Sequence, residues 1–233
     1  MPGPLDLLEA LARQEVVVSP VLRHLEVFTM RGLLTVLWHG DPDADAAVVL
    51  GGGAMGGLLG PADGLYHWLG DELASPDSGI GVLRVGWRRP NDLDLCTLDL
   101  LAVADLAARA GAQRFVTGGH SFGGAIAVRA GIAMGEWTRG VLTFATQSAG
   151  CEEAGSLTAP LRAYHGDRDE LLPMLASEVV CSLAGGSAEV VPCEGAGHLL
   201  TEAADRLRAE APDWIRARLG VAAAPAASAG ATG

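Results

Sequence analysis

The stretch that decides the fold runs from Arg114 to Met134 and reads RFVTGGHSFGGAIAVRAGIAM. Its first four residues are typical of a buried strand, and the residues from Phe122 onward are typical of a helix. Between them lies GHSFG, the chain's one G-x-S-x-G sequence, with Ser121 at its centre. So tight a turn strains its middle residue, and the flanking glycines remove Cβ atoms that would clash. The stretch therefore predicts a serine hydroxyl exposed at the carboxyl edge of a sheet, although 32 glycines in 233 residues make an ordinary turn the alternative.

Outward from this turn, short apolar runs alternate with helix-like segments. The runs predicted to be strands are Ala46–Leu50, Ile80–Val85, Arg114–Thr117, Val141–Ala145, Leu161–Tyr164 and Ala188–Val191. The segments predicted to be helices are Ala62–Ala74, Leu98–Ala110, Phe122–Met134, Pro173–Leu183 and Leu199–Leu219. Continuous apolar strands that alternate with helices are typical of a parallel sheet with helices on both faces.

The segment before this alternation has a different pattern. Leu5 to Gln14 has apolar residues at helical spacing, which predicts a short leading helix. Val21–Phe28 and Leu33–Trp38 are rich in β-forming residues, and the short connection between them places Gly32 where a hairpin needs a positive φ. The predicted fold class is therefore α/β, with a mostly parallel central sheet, an N-terminal antiparallel hairpin and helices on both faces.

The length and the spacing of the elements predict one domain. Residues 1–220 carry the α/β pattern, and residues 221–233 contain only small residues and proline, which predicts a disordered tail. The connection between the strands near Val141 and Leu161 is too short for a separate cap domain.

The composition excludes several classes of protein. With 49% hydrophobic and 19% charged residues the chain can bury a core, and its formal net charge of −12 disfavours binding to nucleic acid or to a membrane surface. The longest apolar run, Ala46 to Gly60, is too short and too rich in glycine to span a membrane. Four cysteines without metal-ligand spacing, and an N-terminal stretch that lacks the order of an export signal, predict a cytoplasmic protein with reduced thiols.

Two further segments bring the partners that a serine nucleophile requires. HGDRD, residues 165–169, follows one predicted strand, and GAGH, residues 195–198, follows the next. A serine needs an imidazole to accept its proton and a carboxylate to orient that imidazole. Because the carboxyl ends of parallel strands meet at one edge of a sheet, we expect His198 and either Asp167 or Asp169 to lie near Ser121.

From about Val21 to Leu219 the chain resembles the α/β-hydrolase superfamily, in the form of a capless, single-domain serine hydrolase. GHSFGG matches its nucleophile turn, HGDRDELLP its acid-bearing segment, and GAGH its terminal G-x-G-H. The resemblance implies that Ser121 is the nucleophile, Asp169 rather than Asp167 the acid, and His198 the base. It leaves structural roles to the two other histidines of these motifs, at positions 120 and 165.

An oxyanion hole needs two backbone N–H groups that point at the developing negative charge. One should belong to Phe122, directly after the nucleophile. The other should come from the loop GGGAMGG, residues 51–57, where Gly53 is the first candidate and Ala54 the second. The superfamily commonly has His-Gly at the start of this loop, and the Gly51-Gly52 found here leaves the second donor open.

The same loop also satisfies the dinucleotide fingerprint G-x-G-x-x-G, and Arg88-Arg89 after the next strand would suit a 2′-phosphate. Gly60 and Pro61 interrupt the helix that should start at the third glycine, so we expect no cofactor. The sequence Asp41-x-Asp43-x-Asp45 looks like the start of a calcium loop but lacks its later glycine and glutamate, so we expect a solvated turn and no metal.

Candidate substrate contacts lie on the loops of the catalytic edge. Ala54 and Met55 belong to the glycine-rich loop, and Trp87 and Arg88 follow a strand at the same edge. An arginine there could bind a carboxylate or a phosphopantetheine-type group, and a solvated loop with Trp87 packed beneath it is the alternative. The apolar residues that could line an acyl pocket, or simply pack in the core, are Met55, Leu58, Leu59 and Tyr66.

These observations predict a hydrolase of a small-molecule ester or thioester that forms an acyl-enzyme on Ser121 without a metal or organic cofactor. Two other classes stay open. The same fold hosts non-hydrolytic chemistry such as acyl transfer, cyclisation, lyase reactions and cofactor-free peroxidation. A non-catalytic ligand-binding protein is also possible, although such a protein has no need of an ordered triad.

Overall fold

The computed structural model describes residues 3–75 and 78–222. Its strands are β1 (Ala10–Ser19), β2 (Leu22–Thr29), β3 (Gly32–His39), β4 (Ala46–Gly51), β5 (Ile80–Gly86), β6 (Arg114–His120), β7 (Thr138–Phe144), β8 (Leu161–Gly166) and β9 (Ala188–Cys193). Its α-helices are α1 (Pro61–Leu73), α2 (Leu93–Ala110), α3 (Phe122–Met134), α4 (Leu175–Leu183) and α5 (Ala204–Leu219). The predicted disordered tail lies, from residue 223 onward, outside the described residues.

The strands form one nine-stranded sheet in the order β1-β2-β3-β5-β4-β6-β7-β8-β9. The pairs β1–β2, β2–β3 and β3–β5 are antiparallel, and the strands from β5 across to β9 pair in parallel. The predicted fold class is confirmed: the central sheet is mostly parallel, antiparallel strands precede it, and no separate cap interrupts the described residues.

Helices cover both faces of the parallel strands. Val48 of β4 packs in a cluster with Leu65 of α1 and Ile215 of α5. Its neighbour Val49 packs on the opposite face in a cluster with Leu100 of α2. Because successive side chains of a strand point to opposite faces, a strand covered on both faces is apolar throughout, and every residue of β4 is buried.

The prediction of a leading helix over Leu5–Gln14 is wrong. Only a 3-10 turn, Asp6–Leu8, forms there, and the chain continues as the ten-residue strand β1. Leu5 and Leu8 are buried as the helical pattern suggests, but Ala12, the next position of that pattern, is exposed. Pairing with β2 along the strand, together with the β-branched residues near its end, outweighs the local periodicity.

The predicted hairpin is confirmed as β2 and β3, which pair in register from Leu22–His39 to Thr29–Gly32. Gly32 has a φ of +122°, and a Cβ at this position would lie 2.7 Å from the carbonyl oxygen of Arg88. The turn therefore requires glycine for its backbone conformation and for the close approach of a neighbouring loop.

Within the described residues no helix is long and apolar enough to cross a bilayer. The four cysteines all lie in this part of the chain and are free thiols, three of them buried.

Candidate active site

Ser121 occupies the turn between β6 and α3. Its φ of +55° and ψ of −117° lie outside the regions that non-glycine residues favour. The strain is held in place because the Ser121 amide donates a 2.8 Å hydrogen bond to the carbonyl of Phe144 on the adjacent strand. A Cβ on Gly119 would overlap the Gly123 carbonyl, and a Cβ on Gly123 would overlap the carbonyl of Gly52. Both flanking glycines are therefore sterically required.

Asp169 and His198 form a hydrogen-bonded pair at the same edge of the sheet. Asp169 lies just beyond β8 and His198 just beyond β9, and His198 Nδ1 donates to Asp169 Oδ2 over 2.7 Å. A carboxylate only accepts, so Nδ1 carries the proton and Nε2 is left with a free lone pair that can act as a base. The amides of Leu171 and Leu172 donate to Asp169 Oδ1, each over 2.9 Å.

The surroundings of Asp169 keep it ionised. Burial of the carboxyl raises its pKa, but the hydrogen bonds from the Leu172 amide, His198 and the Leu171 amide outweigh burial, and the pKa is lowered from its ordinary value. Asp167 is exposed instead, and its Oδ1 accepts a 2.7 Å hydrogen bond from the amide of Gly195. The structure thus brings Asp169 to the imidazole, while Asp167 anchors the loop that carries His198.

His120 connects this pair to the nucleophile turn. Its Nε2 donates to the backbone carbonyl of His198 over 3.0 Å, and the two imidazole rings lie 4.9 Å apart. Burial lowers the pKa of His120 to about 4, so the ring is neutral at neutral pH. Ser121 Oγ makes no hydrogen bond with the His198 ring, although both residues are in the described part of the chain, and such contacts often tighten only when substrate binds.

His165 is a buried residue that contacts the loop carrying Asp169. The ring is fully buried, with Nε2 donating to the carbonyl of Leu172 over 3.0 Å and lying 3.2 Å from Asp169 Oδ2. Its Nδ1 accepts a 2.6 Å hydrogen bond from the hydroxyl of Ser177 on α4. His165 therefore holds the acid-bearing loop against the end of the sheet and has no access to a ligand.

The two residues predicted to form the oxyanion hole, Phe122 and Gly53, both lie close to Ser121. Phe122 is the first residue of α3, so its N–H has no acceptor inside the helix. A Cβ built on Gly53 would lie 4.0 Å from Ser121 Cβ, which places the glycine-rich loop directly over the nucleophile. The Gly53 carbonyl accepts hydrogen bonds from the Gly56 amide over 2.9 Å and from Trp87 Nε1 over 3.3 Å.

Packing explains why the start of this loop is Gly51-Gly52. A Cβ on Gly51 would overlap the indole of Trp87, and one on Gly52 would overlap the backbone carbonyl of Gly57. The Tyr66 hydroxyl also donates to the Gly51 carbonyl over 3.0 Å. The loop is thus folded back on itself and held by two aromatic side chains.

The geometry of this loop does not fit a dinucleotide. A fingerprint of that kind requires a helix that starts at its third glycine, here Gly56, so that helical amides face the pyrophosphate. Helix α1 begins instead at Pro61, and the residues Ala62, Asp63 and Gly64 in its first turn all have a positive φ.

The prediction that Arg88 contacts the substrate is wrong. Its side chain is 1% exposed and pairs with the fully buried Asp99, with Arg88 Nε 2.5 Å from Asp99 Oδ1. Asp99 also accepts a hydrogen bond from the Arg88 amide over 2.9 Å. Trp87 does not line an open pocket either, because its buried ring packs behind Gly51 and its Nε1 holds the Gly53 carbonyl. Trp87 therefore supports the glycine-rich loop, and Arg88 ties the end of β5 to α2.

Apolar side chains are exposed on two loops at this edge of the sheet. Met55, on the glycine-rich loop, is 90% exposed, and a cavity of about 360 Å³ opens beside the Asp169 loop. Its lining consists of Gln147, Ser148, Ala149, Leu172, Pro173, Leu175, Ala176 and Val179. The backbone amide of Gln147 donates to the backbone carbonyl of Ser121 over 3.3 Å, so one residue of the cavity lining contacts the serine turn. These lining residues were not identified from the sequence. Their positions in the loops after β7 and β8, at the same edge of the sheet as Ser121, could have indicated them.

One cluster, His39, His67 and Asp71, has three potential metal-ligand atoms within 4.8 Å of one another. Arg84 Nη2 lies 2.8 Å from His39 Nε2, and a guanidinium can only donate, so Nε2 accepts and the proton sits on Nδ1. The protonated Nδ1 faces Asp71 Oδ1 at 3.3 Å and cannot bind a cation. Only two ligands remain, which is too few for a protein metal site of this kind.

In the sequence Asp41-x-Asp43-x-Asp45, the carboxylates of Asp41 and Asp45 bind groups of the protein itself. Asp41 Oδ1 accepts from the Asp43 amide over 3.0 Å, and Asp45 pairs with Arg114 over 2.7 Å.

Comparison with solved structures places the chain among α/β-hydrolases by fold. A dienelactone hydrolase from Anabaena variabilis superposes with a TM-score of 0.71 at 17% identity, covering 89% of this chain and 99% of the other. Est1E from Butyrivibrio proteoclasticus gives a TM-score of 0.69 at 14% identity, with coverages of 84% and 99%. A serine hydrolase without a lid from Xanthomonas campestris gives 0.67 at 19% identity, with coverages of 90% and 100%.

No protein-family model and no curated protein sequence matches the chain. The structural likeness extends over nearly the whole length of each of these three proteins. The chain therefore has the α/β-hydrolase fold, as the resemblance of its three motifs predicted.

Proposed function

We propose that this protein is a serine hydrolase that cleaves an ester or a thioester through an acyl-enzyme on Ser121. The observation that carries the proposal is the 2.7 Å hydrogen bond between His198 Nδ1 and Asp169 Oδ2 beside the strained serine turn. A buried, ionised carboxylate that orients an imidazole is what a serine nucleophile needs, and a binding protein gains nothing from it.

In this mechanism Ser121 Oγ attacks the substrate carbonyl and its proton passes to His198 Nε2. The Asp169 carboxylate stabilises the resulting imidazolium, and the amides of Phe122 and Gly53 donate to the oxyanion. Collapse of the tetrahedral intermediate breaks the bond to the leaving group, which takes the proton from His198. Water then attacks the acyl-enzyme with His198 as the base, and this step releases the acid and restores Ser121.

The surroundings favour an uncharged, apolar acyl group. The cavity that contacts the serine turn through Gln147 is lined mainly by aliphatic side chains. Arg88, the arginine that could have bound an anionic group, is paired with Asp99. The solved structures of similar fold include a cold-adapted esterase and Est1E with ferulic acid bound, which supports a carboxylic ester as substrate.

Covalent labelling tests this proposal directly. A fluorophosphonate probe should add once to the wild-type protein, as measured by intact mass, and Ser121→Ala should abolish the adduct. Ser148→Ala is the matched control, because Ser148 lines the adjacent cavity and should leave labelling unchanged. Absence of an adduct on folded wild-type protein, or an adduct that survives in Ser121→Ala, would contradict the proposal. An adduct justifies a screen of acyl esters and thioesters.

A further inference from the structure

The edge strand β1 has three properties that set it apart from the rest of the sheet. It pairs with β2 alone, and its other edge has no partner strand within residues 3–75 and 78–222. No residue of β1 is buried on either face, and Val16 and Val17 are 49% and 65% exposed. Ten residues in an unprotected edge strand without proline are a template for pairing with another strand.

The opposite edge of the sheet is protected. Strand β9 has only six residues, and Pro192 lies within it, which removes one backbone donor. Arg206 of α5 donates to the Pro192 carbonyl over 2.8 Å and covers this end of the strand. Pairing of sheets is therefore favoured at β1 and disfavoured at β9.

The charges of β1 are arranged so that two copies of the strand can pair antiparallel with opposite charges facing each other. Its ladder with β2 is regular from Ala12 to Val17, and register shifts flank this stretch at both ends. If two copies align antiparallel with Gln14 opposite Gln14, Arg13 of each copy faces Glu15 of the other, and Ala12 faces Val16. If one copy slides by two residues along the other, Arg13 lies opposite Arg13 or Glu15 lies opposite Glu15, depending on the direction. Like charges opposite each other destabilise a sheet.

The net charge of β1 and β2 also permits pairing between two copies of β1. The chain as a whole carries −12, which makes copies repel each other. The charges of β1 and β2 balance, however, because Arg13 and Arg23 match Glu15 and Glu26. Glu15 already pairs with Arg23 over 2.9 Å, so Arg13 of a second copy would extend an existing ion pair into a network.

We propose that two copies of this chain form a homodimer through antiparallel β1–β1 pairing about a two-fold axis at Gln14. The pairing joins two nine-stranded sheets into one continuous sheet. Because both copies use the same edge, the assembly closes at two and does not grow further. Ser121 follows β6, which lies five strands away from β1 across the sheet, so each copy keeps its own candidate site.

A charge exchange tests the register. The wild-type chain should sediment as a dimer in analytical ultracentrifugation over a concentration series. Arg13→Glu places glutamate opposite glutamate at two symmetric positions, so the dissociation constant should rise by at least about tenfold. The triple variant Arg13→Glu/Glu15→Arg/Arg23→Glu restores opposite charges across the axis, keeps opposite charges at positions 15 and 23, and should restore the dimer. Arg139→Glu, the same charge change at an exposed residue of β7, should have no effect.

A crosslink tests the axis independently of charge. In a Cys181→Ser background, which removes the one native cysteine that is not buried, Gln14→Cys places two thiols opposite each other at the axis. Opposed Cα atoms in an antiparallel pair are about 5 Å apart, within disulfide range. Val16→Cys is the control, because its two copies would be separated by four residues, about 14 Å.

We expect oxidation to crosslink Gln14→Cys and not Val16→Cys. A wild-type chain that is monomeric at every concentration or a dimer that persists in Arg13→Glu would overturn the proposal. A triple variant that stays monomeric, or equal crosslinking at positions 14 and 16, would overturn it as well. Circular dichroism of each variant establishes that it is folded before the assembly state is measured.

Discussion

The carboxyl ends of β6, β8 and β9 and the edge strand β1 are both exposed parts of one sheet, yet they are built in opposite ways. At the carboxyl ends, Ser121, Asp169 and His198 come from three loops, and the backbone around the serine has no room for another Cβ at Gly119 or Gly123. Strand β1 is one continuous segment whose side chains are almost all exposed on both faces.

This difference predicts which amino-acid substitutions each region tolerates. At the serine turn the proposed chemistry depends on backbone clearances and buried hydrogen bonds, so we expect small substitutions to alter turnover. At β1 the side chains make few contacts inside the chain, so substitutions there should leave turnover intact and alter only association. Three further predictions sharpen this comparison.

The largest effect is expected for Asp169→Asn. The amide lacks the negative charge that stabilises the imidazolium and no longer fixes the proton on His198 Nδ1, so turnover of an activated ester should fall by about 10³–10⁴-fold. Asp167→Asn is the control on the same loop, because Asp167 holds only the Gly195 amide. If the two variants lose activity equally, or Asp169→Asn stays close to wild type, the assignment of the acid is wrong.

An intermediate effect is expected from acid on the stability of the folded protein. Burial lowers the pKa of both His39 and His120 from 6.5 to about 4, so the folded protein keeps them neutral where the unfolded chain binds protons. The contribution of these two neutral histidines to the unfolding free energy is complete above pH 6.5 and is lost as the pH falls towards 4. Each histidine should cost up to about 3 kcal/mol of unfolding free energy over that window.

Urea unfolding at a series of pH values measures this loss. His120→Asn removes one of the two buried imidazoles, so the unfolding free energy of this variant should fall less steeply with acid than that of wild type. Identical slopes for the two proteins would show that His120 does not carry the effect.

The smallest effect is expected for Trp87→Phe. The variant keeps an aromatic ring against Gly51 but loses the 3.3 Å hydrogen bond to the Gly53 carbonyl, so the Gly53 amide is aimed less well at the oxyanion. Because the role proposed for this amide is to stabilise the transition state, kcat should fall by about tenfold with little change in KM. Trp137→Phe, at a half-exposed tryptophan remote from the loop, is the control. A rise in KM alone would contradict a positioning role for Trp87.

Much of the fold could be predicted because its signals are local. The run that became β4 is apolar throughout, as a strand covered on both faces must be, and the glycines around Ser121 indicate a strand-to-helix turn. The leading helix was wrong because Leu5 and Leu8 satisfy a helical period and yet the following residues pair with β2, a contact that no short window contains.

The site could be predicted only in part for a related reason. The order of Ser121, Asp169 and His198 and their positions after strands could be read along the chain. Arg88 was misassigned because its partner Asp99 lies on α2, and the sequence does not show that the helix brings a buried carboxylate against the end of β5.

The sequence by itself therefore determined the alternation of strands and helices, the serine turn and the order of the catalytic candidates, because each depends on residues that are neighbours along the chain. The tertiary structure decided which of two aspartates meets His198, that Arg88 is buried, and that β1 is left as an open edge. Those outcomes depend on which segments approach one another in space, and burial and hydrogen bonding between distant residues set their energies.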